Sequence, residues 1–161
     1  LLGRPVDRDR TKESTMRLCL LLFALLTLCH PAFADDWRVN RKVDGNFADT
    51  REAVVMAIEN RGLVINQVSH IGDMLDRTGS ELGLGGNIYE QAEIIEFCSA
   101  KLSRKMMEAD PHNIVLCPFT LAIYSLPGKT RETWVGYRRP LGSSAALVDG
   151  LLADILAEVA P

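Results

Sequence analysis

Apolar and polar residues after position 36 follow two alternating patterns, which predict the order of strands and helices. Strands are predicted over 37–43, 63–68, 88–97, 114–126 and 133–139. Helices are predicted after Asn46, after Asp73, after Ser99 and after Ser143 or Ser144. The strand pattern is clearest in 114–126, where every second residue is apolar. These residues are Val115, Cys117, Phe119, Leu121 and Ile123.

Local signals indicate where several of these elements begin and end. Asn46 can cap the first helix, with Asp49 at capping-box spacing, and Gly62 is placed to end it. Ser99 can cap the third helix, which the Asp110-Pro111 pair should terminate. Pro118 has no backbone N–H to donate, so the strand over 114–126 either bends there or lies at an edge at that point.

The alternation of strands and helices predicts an α+β fold. We expect a small antiparallel or mixed sheet of four to five strands, with three to four helices packed mainly on one face. No repeat or low-complexity tract is present, so residues 35–161 are predicted to form a single domain.

The N-terminal residues have the features of an export signal. We interpret residues 1–15 as an upstream translation artefact and 16–34 as a signal peptide. Arg17 precedes an apolar run from Leu18 to Cys29, and Ala32-Phe33-Ala34 forms a small-x-small cleavage site. The run is too short to cross a hydrocarbon core of roughly 30 Å. Cleavage after Ala34 and a periplasmic or secreted location are therefore expected.

Composition narrows the classes of partner. Residues 35–161 contain 13 Lys and Arg against 18 Asp and Glu, a net charge of −5. An acidic domain argues against nucleic acid as a partner, since phosphate binding needs a basic face. After signal cleavage, no apolar segment is long enough to span a membrane.

The segment from Glu93 to Pro118 resembles the bacterial family called domain of unknown function 302. Cys98, Asp110-Pro111 and Pro118 match a family pattern of a cysteine, a short helix, an Asp-Pro and an apolar strand containing Pro-Cys. The order of elements from about Val39 to Val159 also fits. The resemblance implies a small α+β domain, and it does not assign a catalysed reaction.

This sequence departs from that pattern at its second cysteine. Phe119 follows the strand proline where the family has a cysteine, and Cys117 lies two residues earlier. A shift of two residues along a strand keeps a side chain on the same face. A disulfide between Cys117 and Cys98 is therefore not excluded, although Cys117 lies two residues before the family position. Three interpretations stay open for the two cysteines: a structural disulfide, two buried free thiols, or a redox-active pair.

Four further residues are candidates for ligand or metal contacts. His70 lies at a helix entry, four residues before Met74, and Asp110 and His112 share a turn. A haem or metal site centred on His70 would need further donors, and covalent haem attachment is excluded because no C-x-x-C-H motif is present. Arg138, at the end of the last strand, could bind an anionic group.

No set of catalytic residues emerges from the pattern. There is no G-x-S-x-G motif, and the glycine-rich segment 83–86 follows a helix instead of opening one. We therefore expect a periplasmic binding or accessory domain that takes a small ligand or a partner protein, with a homodimer among the alternatives. The sequence assigns no cofactor. The two other hypotheses are a thiol redox protein using Cys98 and Cys117 and a haem or metal protein using His70.

Overall fold

An antiparallel sheet of five strands is the central element of the computed structural model, which describes residues 37–142 and 144–161. The order of the strands across the sheet is β1-β5-β4-β3-β2, and each neighbouring pair is antiparallel. The strands are β1 (Arg38–Val43), β2 (Val64–Ser69), β3 (Gln91–Cys98), β4 (Phe119–Ser125) and β5 (Thr133–Arg138).

Four α-helices of the described residues connect and follow these strands. They are α1 (Phe47–Glu59), α2 (Ile71–Glu81), α3 (Ala100–Ala109) and α4 (Ala145–Val159), with a 3-10 helix over Pro111–Leu116. Helices α1 and α4 contact each other, and they cover β4, β2 and β5. The α+β prediction, with helices mainly on one face, is confirmed.

The core lies between the sheet and helices α1 and α4. Phe97 on β3 and Phe119 on β4 are directly opposite each other and fully or almost fully buried. Their rings meet edge to face, with centroids 6.0 Å apart. Apolar residues from α1 and α4 complete the core, and these include Val54, Ile58, Leu152 and Ile155. Burial of this apolar area supplies most of the driving force for folding.

The predicted capping residues of α1 and α3 are confirmed. The Asn46 side chain accepts a hydrogen bond from the Asp49 backbone N–H at 2.9 Å. Ser99 Oγ accepts from the Leu102 N–H at 3.3 Å. Ser144 precedes α4 without capping it, because its hydroxyl instead accepts a hydrogen bond from Asn113 Nδ2 at 3.0 Å. Ser143 lies outside the described residues.

The strand predicted over 114–126 begins only at Phe119. Residues 111–116 form the 3-10 helix, in which the Asp110 side chain accepts a hydrogen bond from the His112 N–H at 2.9 Å. Pro118 cannot donate to a strand ladder, which is consistent with pairing that starts one residue later. Val115 is consequently 84% exposed, and Cys117 follows the 3-10 helix without being part of β4.

Strand β3 also starts later than predicted, at Gln91 instead of Ile88, which is 59% exposed.

Among the described residues, no helix is long and apolar enough to cross a membrane. The predicted upstream artefact (1–15) and signal peptide (16–34) lie outside the residues that the structure describes.

Candidate ligand-binding face

The sheet face opposite α1 and α4 is formed by the side chains that do not enter the core. Strand side chains alternate between the two faces, and directly opposed residues share a face. We call this surface the open face. It is built from three rows of residues that cross neighbouring strands: an aromatic row, a row of small side chains, and a row of charged and polar groups.

The aromatic row connects β5, β4 and the segment before β3. Trp134 and Tyr124 are directly opposed, and their rings stack with centroids 6.4 Å apart and an interplanar angle of 10°. Tyr89 contacts Tyr124 edge-on at 5.5 Å. Burial, followed by the charge of Tyr89, raises the pKa of Tyr124, while Arg38 acts in the opposite direction. The Tyr124 hydroxyl therefore stays protonated at neutral pH and can donate a hydrogen bond.

Trp134 also carries an unsatisfied polar atom. Its indole Nε1 is buried and has no hydrogen-bond partner among the described residues. Buried polar groups are nearly always paired, because an unpaired donor loses its hydrogen bond to water without replacement. This N–H is therefore an unpaired buried donor beneath the open face, beside the Tyr124 ring.

The middle row has small side chains at its centre. Ala122 and Gly136 are directly opposed, with Asn40 on the far side of Gly136 and Ile94 on the far side of Ala122. A Cβ atom built on Gly136 would overlap Asn40 Oδ1 and lie 2.6 Å from the Val39 carbonyl oxygen. The surface is low at Ala122, whereas the Asn40 side chain lies over Gly136.

The third row holds two guanidinium groups. Arg38 on β1 is directly opposite Arg138 on β5, and Arg38 also lies 5.6 Å from the centroid of the Trp37 ring. Two positive charges therefore lie on neighbouring strands at this row. Thr120 and the half-buried Glu96 are opposed to each other on β4 and β3 and border the same surface.

The residues of the three rows other than Trp134, together with Trp37, line a shallow trough of about 410 Å³. This volume lies in the range of small-molecule sites, roughly 300–1,000 Å³. Since alternate Cα atoms of a strand are about 7 Å apart, the Cα atoms of Arg38 and Arg138 lie about 14 Å along the strands from the aromatic row. The trough can therefore contact an apolar group and an anionic group of one molecule at the same time.

The family model for the domain of unknown function DUF302 matches residues 39–161, most of the chain. The chain belongs to the DUF302 family. The crystal structure of an uncharacterized conserved DUF302 protein from Bacillus stearothermophilus is similar in fold, with a TM-score of 0.62 and 18% sequence identity. That likeness covers 76% of this chain and 98% of the other. Among curated proteins, none matches.

Both cysteines of this DUF302 domain are free thiols in the described residues. Cys98 ends β3, and Cys117 packs against the core with its Sγ 3.3 Å from Ser103 Oγ. Burial, and next the charge of Cys117, raise the pKa of the Cys98 thiol. A raised pKa lowers the fraction of reactive thiolate, so this environment does not activate Cys98 as a nucleophile. That Cys98 and Cys117 form a disulfide, or act as a redox pair, remains a prediction.

His70 contacts a buried carboxylate. Its Nδ1 lies 3.2 Å from Glu93 Oε1, and the other Glu93 oxygen accepts a hydrogen bond from Arg51 Nε at 2.6 Å. This contact joins β3 to α1 and to the start of α2, so His70 and Arg51 both have a structural role. The role of Glu93 is not visible in the sequence, because the residues that it joins are distant along the chain.

The other metal candidates are not brought together as a ligand set. The Asp110 side chain accepts a hydrogen bond from the His112 backbone N–H at the start of the 3-10 helix, as a turn residue does. No group of three or more His, Cys, Asp or Glu side chains is arranged to hold a metal ion anywhere in 37–142 or 144–161.

The two arginines at the end of β5 diverge because adjacent strand residues point to opposite faces. Arg138 lies on the open face, while Arg139 Nη1 lies 3.6 Å from Asp149 on α4. The Tyr137 hydroxyl donates to the same Asp149 at 3.0 Å. Burial, with this hydrogen bond, raises the pKa of Tyr137 to about 12. Of the predicted ligand contacts, the structure thus places Arg138 at the trough.

Proposed function

We propose that this DUF302 protein is an exported binding domain whose open face takes a small anion that also carries a flat apolar group. The supporting observation is that aromatic rings and two arginines line the same trough. Tyr89 and Tyr124, whose ring stacks on Trp134, line one part of it, and Arg38 and Arg138 line another. A flat ring fits the low surface over Ala122.

The charges favour an anionic ligand over a neutral one. Guanidinium groups bind carboxylates and phosphates through paired, charge-assisted hydrogen bonds. Arg138 and Arg38 are placed to act together, because they are directly opposed across β5 and β1. Glu96 on the same surface disfavours ligands with several negative charges, so a single carboxylate or phosphate is the best match.

Binding can be tested with one pair of compounds. We expect naphthalene-2-carboxylate to bind about tenfold more tightly than the neutral naphthalene-2-carboxamide, since a hydrogen bond to a charged group contributes about 1.5–3 kcal/mol. The measurement is titration of ¹⁵N-labelled protein by NMR. The chain has only two tryptophans, so only two indole N–H signals arise. The signal of Trp134 should shift on binding.

Matched variants locate the binding site. Arg138→Gln should weaken the carboxylate about tenfold and leave carboxamide binding unchanged. Ala122→Phe should abolish binding of both compounds by filling the trough. Arg104→Gln is the control, since Arg104 is on α3 and pairs only with the exposed Glu108 at 2.6 Å. Equal affinity for the two compounds, or no shift of the Trp134 signal at millimolar concentration, would contradict the proposal.

The export part of the proposal rests on the signal-like pattern of residues 16–34 and has its own test. Expression of residues 16–161 in a Gram-negative host should give a periplasmic protein whose N-terminus is Asp35, as measured by intact mass. Ala34→Arg should leave the uncleaved chain attached to the membrane fraction, because signal peptidase requires a small residue at that position. Full-length protein in the cytoplasm, for both forms, would contradict export.

A further inference from the structure

A second cavity, of about 370 Å³, lies where β4 begins and β5 ends. We call it the end groove. Three segments supply its apolar lining: the end of the 3-10 helix, the residues that follow β5, and the first half of α4. These apolar residues include Val115, Leu116, Pro140, Leu141 and Val148. The end groove is thus a mainly apolar cavity that the proposed binding of a ring and an anion does not use.

The end groove and the trough share two residues. Thr120 on β4 and Arg138 on β5 line both cavities. Arg138 is also the residue that the proposed function assigns to the anionic group. Because one arginine borders both cavities, a molecule whose acidic group contacts Arg138 can extend into the trough on one side and into the end groove on the other.

Two apolar side chains of the end groove are largely exposed. Val115 is 84% exposed and Leu141 is 79% exposed, although both line the same cavity as the buried Val148. They come from different segments, one in the 3-10 helix and the other after β5. Exposed apolar side chains that adjoin one another and a cavity are typical of surfaces that bind an apolar group. A hydrocarbon chain placed there would be removed from water together with both side chains.

We propose that the ligand of the trough also carries an aliphatic chain, which binds in the end groove. Its acidic group lies at Arg138, between a flat ring over Ala122 and a chain over Val115 and Leu141. The inference rests on the proposed function, since it uses the same contact with the anion. It adds the order of the three chemical groups, and so defines the ligand class as a singly charged amphiphile with its acid between ring and chain.

Two isomeric carboxylates test this order of groups. In 2-(naphthalen-2-yl)octanoate a hexyl chain is attached to the carbon that bears the carboxylate, whereas 6-hexyl-2-naphthylacetate has the same chain at the far end of the ring. The isomers have equal charge and composition. We expect the octanoate to bind about tenfold or more tightly than 2-(naphthalen-2-yl)acetate, which lacks the chain, because each buried methylene contributes about fourfold. The 6-hexyl isomer should gain about threefold at most, since its chain does not reach the end groove.

The measurement is NMR titration of the ¹⁵N-labelled protein. The indole signal of Trp134 reports on the ring, and the amides of Val115 and Leu141 report on the chain. The amides should shift with the octanoate and not with 2-(naphthalen-2-yl)acetate.

One double variant removes the apolar surface of the end groove. In Val115→Gln/Leu141→Gln the octanoate and 2-(naphthalen-2-yl)acetate should bind with similar affinity. Both residues are exposed, so the core is retained, and circular dichroism verifies folding. The matched control is Leu82→Gln/Leu84→Gln, because these leucines are 67% and 66% exposed and line neither cavity. The control should keep the full difference between the two compounds.

Failure of this inference differs from failure of the proposed function. If 2-(naphthalen-2-yl)acetate binds and shifts the Trp134 signal, but the two hexyl isomers bind equally well, the end groove does not take a chain. A gain that survives in Val115→Gln/Leu141→Gln would overturn the inference in the same way. Absence of any shift of the Trp134 signal, with all three compounds, would overturn the proposed function and this inference together.

Discussion

Replacing Phe97 with alanine is expected to lower the free energy of unfolding by about 3–5 kcal/mol, the usual cost of removing a large buried side chain. Phe97 has no exposed surface, and its ring meets that of Phe119 edge to face. The substitution removes this aromatic contact and leaves a cavity between the sheet and the helices. Domains of this size are stable by only about 5–15 kcal/mol, so a large part of the total would be lost.

Urea denaturation followed by circular dichroism measures this loss, with the change read from the midpoint at constant slope. Val115→Ala is the matched control, because Val115 is also apolar but 84% exposed. We expect that variant to lie within about 0.5 kcal/mol of the wild type. Equal effects from the two substitutions would mean that the β3–β4 aromatic pair does not lie in the core.

The order of the elements and the fold class could be predicted from the sequence because their signals are local. Asn46 and Ser99 each cap the helix that directly follows them, using the backbone N–H three residues ahead. The alternation in β4 is also local, since each residue of the pattern lies two positions from the next. Such features need no knowledge of distant contacts.

The error at 114–116 shows where local patterns become ambiguous. Ile114, Val115 and Leu116 are consecutive apolar residues, and a short apolar run is typical of a strand as well as of other structures. Two residues that flank this run favour the 3-10 helix over a strand. Asp110 organises the turn that begins the 3-10 helix, and Pro118 lacks the N–H that a paired strand would donate.

The candidate site could be predicted only in part. The sequence indicated Arg138 as a residue that could bind an anion, but Arg38 is its opposed partner only because β1 pairs with β5. The same applies to the contact of Tyr124 with Trp134 and to the low surface at Ala122. Strand pairing and register between distant segments depend on the whole sheet, and a single sequence does not reveal them.

Replacing Gly136 with alanine is expected to lower the free energy of unfolding by about 1–3 kcal/mol, the usual cost of overpacking. The added Cβ would meet the Asn40 side chain, which can move, and the Val39 carbonyl oxygen, which belongs to the backbone. Strand β1 must then shift away from β5. Because Arg38 is on β1, the same shift should separate the two guanidinium groups and weaken binding of naphthalene-2-carboxylate.

Two further variants distinguish this mechanism from a general effect of losing a glycine. Gly150→Ala, in α4, meets no atom within 4 Å, so we expect it to stabilise the protein by up to about 1 kcal/mol through helix propensity. Asn40→Ala combined with Gly136→Ala should recover only part of the stability, because the Val39 carbonyl remains. Full recovery would show that the Asn40 side chain alone requires a glycine at 136. A Gly136→Ala protein as stable as the wild type would show that β1 and β5 are not packed this closely.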